Sequence, residues 1–326
     1  MKPKIFVSRK ISDEALEKLS SVCHVSINEN DVKLSEVEMI EAIDGMDGLI
    51  CLLNDSISKK VLESNPNLKV VANFGVGYNN IDVKTATELE IMVTNTPDVL
   101  DDTTAELALS LMMATSRRIV EGDKFVREGK WTTGWEIGLF QGFDLNHKTL
   151  GIIGFGNIGQ ALAKLVSGFE MKILYHNRNR LDEETEKKYN AHYVDKDTLL
   201  TESDFISLHT PLTSETTHLI GEKELTMMRK SAILINTARG PVVDEKALYE
   251  ALKNKVIWGA GLDVFEKEPE IYPGLTNLDN VVVLPHIGSA SVETRSKMAM
   301  MVVDNVVAGV TGNIPENLIN IEVVER

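Results

Sequence analysis

Short runs of aliphatic and β-branched residues alternate along the chain with stretches whose apolar positions recur at helical spacing. The first series is KIFVS at 4–8, GLICLL at 48–53, KVVANFG at 69–75 and IMVTN at 91–95. Amphipathic segments lie between these runs. In the one at 35–43, Ser35 and Glu38 stand at the spacing of a capping box. A longer helix is predicted over about 103–119, with Thr103 and Glu106 spaced for its N-cap. A second series follows: TLGIIG, KILYH, FISLH, AILIN, IWGAGLDV and VVVLP. Strand and helix alternating in this way predict an α/β fold, with two successive units and parallel sheets. The stretch that opens SVETRSKMAMM at 291 reads as a closing helix returning to the first unit. Its Met298, Met300 and Met301 read as core packing rather than a ligand site.

Composition narrows the class. At 326 residues there is chain enough for about two domains, each able to bury a core. Apolar residues make up 43% and charged residues 25%, which excludes a disordered or collagen-like chain. Asp and Glu number 49 against 34 Lys and Arg, a formal charge of −15. That is the wrong sign for holding a phosphate backbone, so nucleic acid is not expected as a partner. Cys23 and Cys51 fall in no CxxC or metal spacing and are expected to be buried free thiols. The opening MKPKIFVSRK has a three-residue apolar run before Ser8, too short for a signal peptide, and reads as a first strand. No run approaches the roughly 18 apolar residues of a membrane helix. The expected address is the cytoplasm.

The sharpest local signal is GFGNIG at 154–159, a GxGxxG directly after one predicted strand and directly before a helix. Gly154 permits the tight turn, Gly156 lets backbone approach a pyrophosphate, and Gly159 lets helix and strand pack closely. Asn157 and Ile158 open the helix whose unpaired N–H groups and dipole favour an anion. GVGYNN at 75–80 also follows a strand, but Asn80 stands where the third glycine belongs, so a second nucleotide site is not expected. An NAD enzyme places Asp or Glu at the end of the next strand, about 20 residues on, for the ribose 2′-hydroxyl. Here KILYHNRNR supplies Asn177, Arg178 and Arg180 instead. Guanidinium groups suit a 2′-phosphate, which predicts NADP as the preferred cofactor, with NAD possible. Asp182 comes too late to serve.

Downstream stand LLTESDFISLHTPLTSETTHLI, MRKSAILINTARGPVVDEKALYEAL, GAGLDVFEKEP and VVLPHIGSAS. With the glycine fingerprint, these four ordered motifs closely resemble the D-isomer-specific 2-hydroxyacid dehydrogenase family over essentially the whole chain. NTPDVLDDTTAELALSLMMATSRR looks most like its glyoxylate and hydroxypyruvate reductase branch. The resemblance implies two Rossmann-like domains across a cleft. The substrate-binding, flavodoxin-like domain would comprise 1–99 plus 291–326, and an NAD(P)-binding domain of 100–290 would be inserted into it. It also implies a homodimer.

Reducing a 2-oxoacid requires a cation for the carboxylate and carbonyl, a proton donor for the developing alkoxide, and a hydride source. Arg239 in NTARGP offers a planar fork of donors that can orient the acid and polarise its carbonyl. His286, after Pro285 at the end of a strand, matches the family's proton donor, and Glu268 in FEKEP its carboxylate partner. A carboxylate beside imidazole favours the protonated ring and fixes its orientation. Glu266 is the local competitor and is expected to be solvent-exposed. Backbone amides of Val76 and Gly77 match positions that hold the substrate carboxylate in relatives. Leu52 and Leu53 match positions facing the substrate, where apolar side chains suit a small uncharged group.

By the same resemblance, Thr104 approaches a cofactor phosphate, Thr210 and Pro211 border the adenosine, and Thr237 and Asp263 lie near the nicotinamide. Asp263 would accept from the carboxamide, and Gly288 and Ser289 would close that side. Trp131 and Trp135 are core or interface candidates. The expected activity is NADPH-preferring reduction of glyoxylate, hydroxypyruvate or a close 2-oxoacid to the D-2-hydroxyacid, without a metal. The same chemistry on 2-ketogluconate, D-lactate/pyruvate or 3-phosphoglycerate, and a dinucleotide-sensing corepressor-like protein, remain as alternatives.

Overall fold

A computed structural model describes residues 2–325. The chain forms two compact units, Met1–Leu100 with Ala290–Arg326, and Asp101–Ser289.

The first unit contains β1 (Lys4–Val7), α1 (Asp13–Val22), β2 (His24–Ile27), α2 (Glu36–Ala42), β3 (Gly48–Leu52), α3 (Lys59–Ser64), β4 (Val70–Phe74), α4 (Val83–Glu88) and β5 (Met92–Thr94). Its strands form a parallel sheet in the order β2-β1-β3-β4-β5. Successive residues of a strand point to opposite faces, and here both faces are covered. Ile5, Val7, Val70 and Ala72 meet Leu19, Val302, Val303 and Val306, while Phe6, Leu49 and Val71 meet Met39, Val61 and Leu62. This is why the runs are continuously apolar rather than alternating. Ser35 and Glu38 do form the capping box of α2.

The second unit contains α5 (Asp101–Ser116), α6 (Ile119–Arg127), β6 (Thr149–Ile153), α7 (Asn157–Leu165), β7 (Lys172–His176), α8 (Glu183–Tyr189), β8 (Ala191–Tyr193), α9 (Lys196–Glu202) and β9 (Phe205–Leu208). It continues with α10 (Glu222–Met227), β10 (Ile233–Asn236), α11 (Glu245–Lys253), β11 (Gly259–Leu262) and β12 (Val281–Val283). The parallel order is β12-β11-β10-β9-β6-β7-β8, so strand order reverses between β6 and β9. Such a reversal leaves a crevice outside the carboxyl ends of the two strands, the usual ligand position in an open α/β sheet. Leu111, Met112 and Leu162 cover one face of this sheet, and Leu199, Leu225, Leu248 and Leu252 the other.

The helix that closes the chain, α12 (Val292–Val310), lies on the sheet of the first unit. Gly309 makes the close approach possible, since a Cβ there would stand 2.8 Å from the Val70 Cβ. Met298 is buried, Met300 packs partly against the core, and Met301 is half-buried and outside the core cluster, so the expectation of core packing is not met there.

Two expectations are corrected and a third is narrowed to one of its alternatives. The helix predicted from 103 with Thr103 as N-cap starts at Asp101, and the acidic pair Asp101 and Asp102 occupies its first turn, where the dipole favours them. It ends at Ser116 rather than 119 because Arg118 takes a left-handed conformation (φ 54°) before α6 begins. Trp131 and Trp135 are not core residues: they are 53% and 84% exposed in a stretch, 128–148, without helix or strand.

Met298→Ala removes a side chain that is 1% exposed, so we expect a loss of about 2–5 kcal/mol in denaturant unfolding. A loss below about 1 kcal/mol would place Met298 outside the core.

Candidate active site

The glycine turn between β6 and α7 has a separate physical reason at each position. Gly154 has φ 94°, and a Cβ there would stand 2.6 Å from the His209 carbonyl carbon. At Gly159 a Cβ would stand 2.8 Å from the Gly154 carbonyl oxygen. At Gly156 it would meet nothing within 4 Å, so the missing side chain leaves open space rather than making room for protein. Gly156 is also the N-cap of α7 and provides no side-chain acceptor. The first amides of the helix therefore face a gap in which an anion can be held. Past the ends of β9 and β10, the hydroxyls of Thr210 and Thr237 are buried and have no hydrogen-bond partner among the described residues, and Thr210 stands against the Gly154 turn. Orphaned hydroxyls on the strand ends next to a glycine cradle's strand fit a polar ligand such as a dinucleotide. Pro211 is exposed, and its carbonyl accepts from the Thr216 hydroxyl.

The end of β7 separates three residues that the sequence groups together. Asn177 Oδ1 accepts from the Phe155 N–H at 2.6 Å and so braces the glycine turn. Arg178 is exposed and makes no ion pair with the described residues, though it is near enough to Glu215 to help lower that carboxyl. Arg180 is not available as a phosphate clamp. It makes two 2.8 Å hydrogen bonds to Glu186, which also accepts from the Tyr175 hydroxyl at 2.6 Å. These partners hold the Glu186 carboxyl at about 2, so the clamp stays ionised. Asp182 is spent as the N-cap of α8.

Arg239, Glu268 and His286 each follow a strand, β10, β11 and β12 respectively. His286 Nδ1 lies 2.8 Å from Glu268 Oε2, with both side chains about one-third exposed. Glu268 Oε1 accepts from the Phe265 N–H at 3.0 Å. Burial raises the Glu268 carboxyl, but His286, the Phe265 amide and the Arg239 charge outweigh it and leave it below its ordinary value. Arg239 is half-buried, and its Nη1 donates to the Ala238 carbonyl at 2.7 Å. Burial lowers its pKa and the Glu268 charge opposes that shift. Gly240 lets this turn lie against the next loop, since a Cβ would fall 1.9 Å from the Phe265 carbonyl carbon.

His286 has φ 55°, a conformation strained for a non-glycine residue. Buried Asp263 holds it there. Its carbonyl accepts from the His286 N–H at 2.9 Å, and its carboxylate oxygens accept from Ile287 N–H at 2.7 Å and Gly288 N–H at 2.8 Å. Asp263 thus spends its carboxylate on the loop that carries His286. Burial nevertheless raises its pKa against those amides and the His286 charge. A Cβ on Gly288 would touch Thr104 and Asp263, which brings those three residues together, and Ser289 is half-buried beside them in sequence.

Glu266 is not the solvated competitor expected from sequence. Its Oε1 lies 3.0 Å from His218 Nε2 and accepts from the Glu245 N–H at 3.0 Å, and the side chain is less exposed than that of Glu268. The preference of the sequence for Glu268 therefore rests on geometry rather than exposure.

In the first unit, Leu53 packs on Gly75, where a Cβ would stand 2.4 Å from its Cδ2, and Leu52 is half-buried at the end of β3. Asn95 Nδ2 donates to the Val76 carbonyl at 2.8 Å and Asn73 Nδ2 to the Gly77 carbonyl at 2.7 Å. The N–H groups of Val76 and Gly77 find no acceptor among the described residues. Sequence reasoning missed buried Asn73 and half-buried Asn95 because a lone asparagine carries no motif. Their place at strand ends flanking a glycine loop was the available signal.

His209 follows β9 with its Nε2 2.8 Å from the Ser207 hydroxyl and its Nδ1 unpartnered, and burial lowers its pKa from 6.5 to about 4. The folded protein binds that proton less readily than the unfolded chain. The resulting stability is full above pH 6.5 and lost as pH falls towards 4, roughly 3 kcal/mol in total for a shift of this size. His209→Gln should flatten the pH dependence of unfolding in that window, without cofactor present. An unchanged slope would show that His209 titrates normally.

Residues 109–288 match the family described as D-isomer specific 2-hydroxyacid dehydrogenase, NAD binding domain. A glyoxylate reductase of Thermococcus litoralis is 50% identical over 327 residues, covering 99% of this chain and 98% of the relative. One from Korarchaeum cryptofilum is likewise 50% identical, covering 100% and 98%. The structure is similar to the NADPH-dependent glyoxylate/hydroxypyruvate reductase of Sinorhizobium meliloti, solved with NADP and malonate. Their TM-score is 0.88 at 32% identity, over 98% of this chain and 97% of that one. The α/β fold, the glycine cradle and the ordered strand-end residues, together with these similarities, establish that the chain belongs to the D-isomer specific 2-hydroxyacid dehydrogenase family.

Proposed function

We propose that this chain reduces glyoxylate, or hydroxypyruvate, with NADPH in preference to NADH, giving the D-2-hydroxyacid where C2 becomes chiral. The observation that carries this reading is the 2.8 Å contact between His286 and Glu268 near Arg239, in a chain half identical to glyoxylate reductases. We assign 100–290 to the cofactor and 1–99 with 291–326 to the substrate.

A bound nicotinamide dinucleotide supplies the hydride. Gly154, Gly156, Asn157, Ile158 and Gly159 would hold its pyrophosphate, and Thr104, Thr210, Pro211, Thr237 and Gly288 would line the rest. Arg178 is the arginine left to meet a 2′-phosphate, because Arg180 is held by Glu186. Asn177 and Asp263 act through the turns they brace. Arg239 orients the oxoacid and polarises its carbonyl, and buried, preorganised charge of this kind acts without solvent reorganisation. With Nδ1 engaged by Glu268, His286 delivers its proton from Nε2 to the oxygen at C2. On reversal the same nitrogen accepts the hydroxyl proton. Val76 and Gly77 offer N–H groups to a carboxylate, and Leu53 beside them suits a small apolar substituent. No step uses a metal ion.

The intact set of Arg239, Glu268 and His286 favours an enzyme over a dinucleotide sensor. Exposed Ile119, Val120, Val126, Trp131, Trp135 and Ile137, all within one stretch of nineteen residues, support a homodimer, since large apolar side chains left in water favour burial against a second copy. Among the described residues no helix is long and apolar enough to cross a membrane, and we place the enzyme in the cytoplasm.

Initial rates with NADPH and with NADH test this reading. Glyoxylate or hydroxypyruvate should be the best oxoacid, and His286→Ala should lose roughly 10²–10⁴-fold in kcat. Arg178→Ala should lower the NADPH to NADH ratio of kcat/KM at least about tenfold, through the loss of one charge-assisted contact, while Arg180→Ala should leave the ratio in place. Wild-type turnover by His286→Ala would contradict the mechanism, and an unchanged ratio in Arg178→Ala would move the selectivity elsewhere.

A further inference from the structure

The loop that carries Glu268 has little packing of its own. Residues 267–270 are all exposed, and none of them belongs to the apolar core. The loop is instead held at both ends by one buried residue in another element. Glu245, the first residue of α11, is 6% exposed. One of its oxygens accepts from the Glu266 N–H, and the other accepts from the Tyr272 N–H at 2.9 Å. In return, the Glu245 N–H donates to Glu266 Oε1 at 3.0 Å, which also meets His218 Nε2. The exchange resembles a capping box made between residues 21 positions apart rather than three. Just before the clip, the Phe265 N–H fixes one oxygen of Glu268 and leaves the other for His286.

We propose that Glu245 is a positioning residue for the proton-donating pair. By holding the Glu266 and Tyr272 amides it fixes the loop that aims Glu268 at His286. The inference rests on the reading of His286 and Glu268 as proton donor and partner. A carboxylate is the group this place requires, because it offers an acceptor to each amide, whereas a glutamine side chain has one acceptor oxygen and a donor that would face the second amide. Its charge is also favoured at the start of a helix. Burial raises its carboxyl, the two amides oppose that shift, and the charges of Glu266 and Glu268 reinforce it. The other charged groups bearing on the cluster are His218 on Glu266, with Arg239 and His286 on Glu268.

The test is Glu245→Gln in the full-length enzyme, read in two ways. The first is the pH–rate profile for glyoxylate reduction with NADPH, whose alkaline limb marks loss of the proton held by the coupled pair. The second is hydrogen exchange of the 265–272 segment. If the clip aims Glu268, the limb moves down by about one pH unit, the shift expected when an imidazolium loses its carboxylate. Exchange of the segment should then accelerate, with KM for NADPH within about twofold of wild type. An unmoved limb overturns the proposal, since a merely structural role would lower the amount of folded enzyme without shifting it. A limb that moves while exchange stays unchanged also overturns it, because removal of a nearby charge would then suffice. Should Glu245→Gln fail to fold, Glu245→Asp keeps the charge, shortens the reach and is read by the same two measures. Wild-type turnover by His286→Ala would sink the underlying reading. An inactive His286→Ala with an unmoved limb in Glu245→Gln would sink only the role of Glu245.

Discussion

A parallel sheet covered on both faces has no room for polar chemistry along its strands, so reactive side chains must stand past the strand ends. In the second unit that constraint organises the candidate residues other than Thr104, which lies in α5: the glycines after β6, Asn177 and Arg178 after β7, Thr210 after β9, Thr237 and Arg239 after β10, Glu268 after β11 and His286 after β12. In the first unit, Leu53 follows β3, and Val76 and Gly77 follow β4. Strand order then decides which of these ends face open space. The reversal between β6 and β9 puts the Gly154 turn against the His209–Thr210 backbone, which is why glycine is required there.

Residues placed on strand-end loops need something other than core packing to fix them. In this chain buried side chains bonded to backbone amides and carbonyls do that. Asp263 grips two amides of the loop bearing His286, Glu245 grips two amides of the loop bearing Glu268, and Asn177 grips the amide of Phe155 in the glycine turn. In the first unit Asn73 and Asn95 hold the carbonyls of Gly77 and Val76, which turns the loop so that its amides remain unused. Desolvation makes every unmade bond of such groups costly, and Asn73 shows the result: its Nδ2 holds Gly77 while its Oδ1 accepts from Cys51 and Asn80. Because burial has raised the carboxyls of Asp263 and Glu245, the folded chain takes up those two protons more readily than the unfolded chain, so these braces are held charged at a cost rather than stabilised by their charge.

Much of this was legible in the sequence because it is written in local pattern. Continuous apolar runs located the central strands, and the spacing of Gly154, Gly156 and Gly159 gave the cradle. Ordered motifs marked Arg239, Glu268 and His286. Short edge strands were not legible: β2 alternates polar with apolar residues and β8 is three residues long, so neither has a run to detect. Long-range pairing was also hidden. Arg178 and Arg180 look equivalent in NRNR, and only the fold brings Glu186 to one of them. Likewise Glu266 and Glu268 differ in FEKEP by two positions, while their roles are set by His218 and Glu245 on one side and His286 on the other.

The central claim is that His286 and Glu268 act as one unit in proton delivery, and a double-mutant cycle on kcat/KM for glyoxylate tests it most directly. In the wild-type background Glu268→Gln should cost a substantial factor, on the order of tenfold or more for an interaction with a charged partner. In a His286→Gln background it should cost almost nothing, because the group it serves is gone. Equal factors in the two backgrounds would mean that the two residues act independently and would contradict the account.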